Sequence, residues 1–155
     1  MSAEIKYPEA EDCGEDYDKV QAYIEEYMDA VWETLKTGQK VQVSFSTQPV
    51  GFEDLVDVSS LIDLYLVNEI MENAEGCMRC VYVYKRDGEK LKFGPVWDFD
   101  IQFEGTAVGY YGKDLLCCQY STLMNKFCNM KVTIIKLWLD TKKKGMLLKI
   151  CMRFY

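Results

Sequence analysis

The chain has 155 residues, 49% of them apolar and 14% aromatic, which sets it among globular single domains and apart from disordered chains. Its formal net charge of −7 argues against nucleic acid as the main partner. No apolar run approaches the roughly 18–20 residues of a membrane span, and the opening Met1-Ser-Ala-Glu-Ile-Lys6 lacks the apolar stretch of a signal peptide.

The average charge conceals a break. Residues 1–112 carry 9 Lys/Arg against 23 Asp/Glu, whereas residues 113–155 carry 9 Lys/Arg against Asp114 and Asp140 alone. The basic tail contains no recognisable nucleic-acid-binding motif. Seven cysteines, Cys13, Cys77, Cys80, Cys117, Cys118, Cys128 and Cys151, make an odd count, unlike a disulfide framework. Cys77-Met-Arg-Cys80 is a lone CxxC in a chain without histidine, so zinc-ribbon spacing is not met and ordinary partly buried thiols are expected.

Residues 1–14 are polar and acidic and read as a leading segment. An amphipathic helix is predicted from about Asp16 to Leu35, with Val20, Tyr23, Ile24, Tyr27, Met28, Val31, Trp32 and Leu35 recurring at three and four as its core stripe. Gly38 supplies a stop. Lys40 to Ser46 then alternates, with Val41, Val43 and Phe45 on one side, as in a short strand or extended loop.

Asp57-Val-Ser-Ser60 offers N-caps for a second helix, about Ser59 to Asn73, apolar on most sides and therefore central and largely buried. Its polar members Asp63, Asn68 and Glu69 need partners, because unpaired buried polar groups are costly. A hairpin follows. Cys80-Val-Tyr-Val-Tyr84 and Lys90-Leu-Lys-Phe93 flank Asp87-Gly88, the strongest short-range turn signal in the chain. The second run continues through Gly94-Pro95 into Trp97-Asp-Phe-Asp100, with Pro95 ending ladder pairing. Past about Gly105 no clean period or capping pattern remains.

Asp98 and Asp100 are same-face neighbours if the extended chain continues. Two carboxylates so close repel unless they share a cation or proton. Mg²⁺ suits them, being a hard ion usually held by one or two carboxylates together with phosphate oxygens. Trp97 and Phe99 would anchor the opposite face in the core. The alternative is a surface turn whose aspartates cap backbone amides, within a plain helical domain.

A longer pattern bears on that choice. Residues 63–76 read Asp-Leu-Tyr-Leu-Val-Asn-Glu-Ile-Met-Glu-Asn-Ala-Glu-Gly, followed by the hairpin and then by Gly94-Pro-Val-Trp-Asp-Phe-Asp100. This order resembles the CotH kinase family, named for a spore-coat protein. That family combines a helix carrying Asn-Glu, an Asn-x-Asp-Gly turn, a hairpin and a Pro-x-Trp-Asp-x-Asp segment. Ile5-Lys-Tyr-Pro8 and Gln21-Ala-Tyr-Ile24 also resemble the preceding segment of bacterial members, so the likeness spans roughly residues 5–103.

The resemblance implies an α+β fold: a partial, atypical protein-kinase-like C-lobe in which a buried helix and a β-hairpin are flanked by helices. It implies Mg²⁺ and ATP as cofactors and a secreted or cell-surface protein substrate phosphorylated on serine. By the same resemblance Asp98 is catalytic and metal-binding, in the role of the Asp of the kinase DFG segment. Asp100 is a further carboxylate at the metal and cofactor. Glu75 falls on the catalytic-loop aspartate. Cys80 falls on the metal-binding Asn of the spore-coat members. Asn68 and Asn73 are helix-borne positions facing that site, Asn73 as a cofactor-binding residue and Asn68 orienting neighbouring backbone.

Three departures bear on activity. Glu75 is one methylene longer than aspartate, and displacing a reacting group by about 1 Å costs about a hundredfold in rate. Cys80 is a poor Mg²⁺ ligand, because thiolate prefers softer metals. No Gly-rich loop lies upstream of the helix, and roughly 60 residues precede the motif block.

The nucleotide-binding lobe is therefore expected to be missing and the chain to be a fragment, inactive alone. The domain reading is a leading segment 1–14, a CotH kinase-like part 15–105, and a basic, Cys-containing tail 106–155. That tail is expected to be out of frame or poorly ordered. The competing functional reading is a non-catalytic, pseudokinase-like binding module on a secreted or surface protein.

Overall fold

The computed structural model describes residues 4–71, 73, 76, 81–99, 124 and 126. Two units divide the chain, Met1–Val56 and Asp57–Tyr155. Among the described residues the regular elements are helices and one two-stranded antiparallel sheet, an α+β composition.

In the first unit the polar leader contains a short helix α1, Ala10–Cys13, and a 3₁₀ turn, Gly14–Asp16. Helix α2 follows, Tyr17–Thr37. It ends where sequence predicts: Gly38 adopts φ 70° and its N–H donates to Thr34 O at 2.9 Å, a left-handed cap that a Cβ would strain. The apolar stripe becomes core only from Tyr27 onward, where Tyr27, Ala30, Val31, Thr34 and Leu35 are buried. Tyr23, expected inside, is 37% exposed. Periodicity identifies the face of a helix but not how far along it other elements reach. Thr34 is tolerated in the core because its hydroxyl donates to Ala30 O at 2.8 Å.

Residues 40–50 form a closed loop. Val41 and Val50 exchange N–H···O bonds of 2.9 Å in each direction, so the expected strand reduces to one bridge. Within the loop, Ser44 donates from its N–H (2.6 Å) and its hydroxyl to the two carboxylate oxygens of Glu26. Phe45 packs between Tyr23 and Tyr27, with ring centroids 5.3 and 5.2 Å away. Helix α3, Phe52–Leu55, closes the unit against α2, and the Tyr27 hydroxyl donates to Leu55 O at 2.7 Å.

The second unit is organised by helix α4, Val58–Ile70. Asp57 caps it, its carboxylate accepting from Ser59 and Ser60 N–H at 3.1 and 3.2 Å. Leu61, Ile62, Leu64, Tyr65 and Leu66 are buried, as the all-round apolar pattern predicts. The helix stops three residues before Asn73. There the Asn73 N–H reaches back to Asn68 O, five residues earlier, at 2.8 Å, a wide turn of the kind found at helix C-termini. Asn73 is thus not helix-borne.

Strands β1, Val83–Tyr84, and β2, Lys92–Phe93, pair antiparallel with Val83 opposite Phe93. Gly88, at φ 70°, makes the turn between them. The hairpin is shorter than the β-rich runs suggest and is fastened to the start of α4. Asp57 N–H donates to Leu91 O at 2.8 Å, and Phe93 N–H donates to the Ser60 hydroxyl at 3.0 Å.

No helix among the described residues is long and apolar enough to cross a membrane. Cys13 is a free, half-buried thiol. The other six cysteines, and almost all of the tail expected after residue 106, lie outside the described residues.

Candidate functional site

The sequence-predicted site residues that the structure describes are Asn73 and Asp98. Glu75 and Asp100 lie outside the described residues, as does Cys80.

Beyond Phe93 the chain leaves the sheet. Gly94 takes φ 131° while its N–H still donates to Tyr82 O at 3.0 Å, and the Gly94–Pro95 peptide is cis. Asp98 then adopts φ 65°, and among the described residues it is the one non-glycine with positive φ. Aspartate is among the few side chains that tolerate this region. Such an outlier inside a candidate site marks a conformation that the surroundings hold in place.

The left-handed step corrects two expectations. At φ 65° Asp98 interrupts the extended backbone on which period-two reasoning rests, while Asp100 itself lies outside the described residues. Trp97 does not anchor in the core. It is 41% exposed and rests on Tyr82, ring centroids 4.9 Å apart, because extended pairing has ended at Phe93. Phe99 is half-buried.

Asn73 holds this segment. It is fully buried, and its Nδ2 donates to Asp98 O at 3.2 Å while its Oδ1 accepts from Gly76 N–H at 3.0 Å. One orientation of the amide satisfies both bonds, since the carbonyl needs a donor and the N–H an acceptor. Asn68, also buried, donates from Nδ2 to Leu64 O at 2.9 Å, the backbone-directed role expected of it.

Gly76, read in the sequence only as the end of the turn motif, is the residue to which sequence reasoning gave no role. A Cβ there would stand 2.1 Å from Asn68 Oδ1 and 2.7 Å from Asn73 Nδ2, so only glycine fits between the two asparagines. The signal lay in that same Asn73-x-x-Gly76 spacing, at which an asparagine side chain caps an N–H three residues on.

The Asp98 side chain is half-buried, and among the described residues it joins no ion pair. Its hard carboxylate oxygens suit Mg²⁺, which takes one or two carboxylates and keeps much of its water. No group of three or more metal-binding side chains gathers among the described residues, which include Asp98 but neither Glu75 nor Asp100.

A sequence model of the family described as CotH kinase protein matches residues 3–142. No curated protein and no solved structure matches the chain.

Proposed function

From the premise that this chain belongs to the CotH kinase family, we propose that residues 73–100 form the metal-binding part of an atypical protein-kinase C-lobe. Its ligand is Mg²⁺-bound ATP and its substrate a serine-containing protein, secreted or at the cell surface. The observation that carries this reading is the left-handed Asp98, fixed through its backbone by a buried asparagine inside Pro95-Val-Trp-Asp-Phe-Asp100.

When bound, Mg²⁺-ATP supplies a γ-phosphoryl group whose bond to the β-phosphate oxygen breaks as a bond to the serine oxygen forms. The residues of this chain orient and neutralise. Asp98 presents a carboxylate to the metal, and Asp100 is proposed, on the family resemblance, as a further carboxylate for it. Glu75 accepts the serine hydroxyl proton. Asn73 serves the cofactor by holding Asp98 rather than by reaching the nucleotide, because its side chain is fully buried and directed at Gly76 and Asp98.

Turnover by this chain alone is not expected. The 155 residues contain no Gly-rich phosphate loop ahead of the motif block, Glu75 is longer than the family's aspartate, and Cys80 replaces a hard ligand with a soft one.

A second reading is a non-catalytic binding module on a secreted or surface protein. It is favoured by the exposure of Tyr82, Val83, Tyr84, Val96 and Trp97 next to the site.

Incubation with Mg²⁺ and γ-labelled ATP, with and without a serine-rich acceptor protein, separates the outcomes. Nucleotide bound without label transfer supports an inactive kinase site. Label on serine replaces it with a working kinase. Neither binding nor transfer leaves the binding module.

A further inference from the structure

We propose that Asn73 is the positioning residue that couples the two halves of the site, through a single side-chain amide. The inference rests on the reading above, in which Asp98 carries the metal and Glu75 takes the proton. Asn73 Oδ1 accepts the Gly76 N–H at 3.0 Å, and that N–H belongs to the peptide joining Glu75 to Gly76. Asn73 Nδ2 donates to the Asp98 carbonyl at 3.2 Å. The base-bearing peptide and the metal-bearing residue thus share one planar group, whose two polar atoms are fixed relative to each other by covalent geometry.

The coupler is itself anchored. The Asn73 N–H is tied to Asn68 O at 2.8 Å, which refers its position to the end of α4. Its side chain is fully buried, which shields the bond from Gly76 N–H from water, while the bond to Asp98 O is part-buried. Gly76 permits the arrangement: a Cβ at that position would stand within 3 Å of Asn68 Oδ1 and Asn73 Nδ2, so any other side chain there would displace the amide that reaches Asp98. A displacement of either segment is therefore passed to the other. Reacting groups lose about a hundredfold in rate for about 1 Å of misplacement, which gives such a coupling its value.

Asn73→Asp tests this selectively. An ionised carboxylate keeps an acceptor for Gly76 N–H but has no donor for Asp98 O, and the ¹³C shift of the introduced carboxyl establishes that it is ionised at the working pH. Added negative charge would by itself tighten a cation, so any weakening cannot be a simple charge effect. The readouts are the NMR resonances of the Gly76 amide and the Asp98 carbonyl carbon, and Mn²⁺ affinity measured by electron paramagnetic resonance in the presence of ATP.

In wild type the Gly76 amide exchanges slowly. In Asn73→Asp that protection stays, the Asp98 carbonyl resonance moves, and Mn²⁺ binds about tenfold or more weakly, the usual cost of losing a group that orients a ligand. In Asn73→Ala both resonances move. If Asn73→Ala loses its fold by circular dichroism, Asn73→Asp carries the comparison. A fast-exchanging Gly76 amide in wild type overturns the coupling without any variant. So does an Asp98 resonance or an Mn²⁺ affinity unchanged in Asn73→Asp, while Asp98→Ala still abolishes binding. Wild-type affinity in Asp98→Ala instead removes the metal reading itself.

Discussion

The side-chain nitrogen of Asn73 donates to the backbone carbonyl of Asp98 at 3.2 Å, across 25 positions of sequence. The bond joins the turn after α4 to the segment after β2 and fixes Asp98 in a backbone region few residues accept. The Asp98 carboxylate is thereby free of structural duty among the described hydrogen bonds, while its main chain is held.

Gly76→Ala should destabilise the second unit. The new methyl would stand 2.1 Å from Asn68 Oδ1 and 2.8 Å from Asn68 Cγ, and a short, buried asparagine has little room to withdraw. Overpacking of this kind costs about 1–3 kcal/mol. Urea denaturation followed by circular dichroism measures it, and a midpoint equal to wild type would mean that the turn gives way easily.

The core of the same unit makes a plainer prediction. Leu61 has no exposed surface, and Leu61→Ala should cost about 2–5 kcal/mol through lost burial and the cavity left behind. Asp57→Ala removes the cap of α4 and should cost about 1 kcal/mol. The ratio of the two losses in a single denaturation series checks whether packing or capping dominates this helix.

The first unit should lose stability in acid. Hydrogen bonds from the Ser44 hydroxyl and then the Ser44 N–H hold the Glu26 carboxyl below its ordinary value of 4.5. A carboxylate with a depressed pKa in the folded state stabilises the fold above about pH 4.5, and that contribution disappears as pH falls through the folded value. Glu89 behaves alike, lowered chiefly by its hydrogen bond and charge attraction with Lys92. Thermal unfolding of Glu26→Gln against wild type between pH 7 and pH 3 should therefore converge toward the acid end. A constant gap across that range would assign the effect to packing.

Much of this fold was legible wherever local chemistry decides. Gly38 ends α2, Asp57 caps α4, and Asp87-Gly88 turns the hairpin, each through bonds within a few residues of itself. Sequence reading failed where distant segments decide. The wide turn that removes Asn73 from α4 depends on a bond to Asn68 O, and the need for glycine at 76 on the close approach of two asparagine side chains. Trp97-Asp-Phe carries an alternating pattern on paper, but a single left-handed residue cancels it. The family was legible from the order of motifs, since that order survives without knowledge of which side chains face one another.

The most direct measurement is calorimetric titration of the protein with Mg²⁺-ATP, wild type against Asp98→Ala. Saturable heat in wild type that vanishes in Asp98→Ala, with both proteins equally folded by circular dichroism, is the predicted result. Absence of heat in wild type, or equal heat in both proteins, would contradict a metal–nucleotide site built on Asp98.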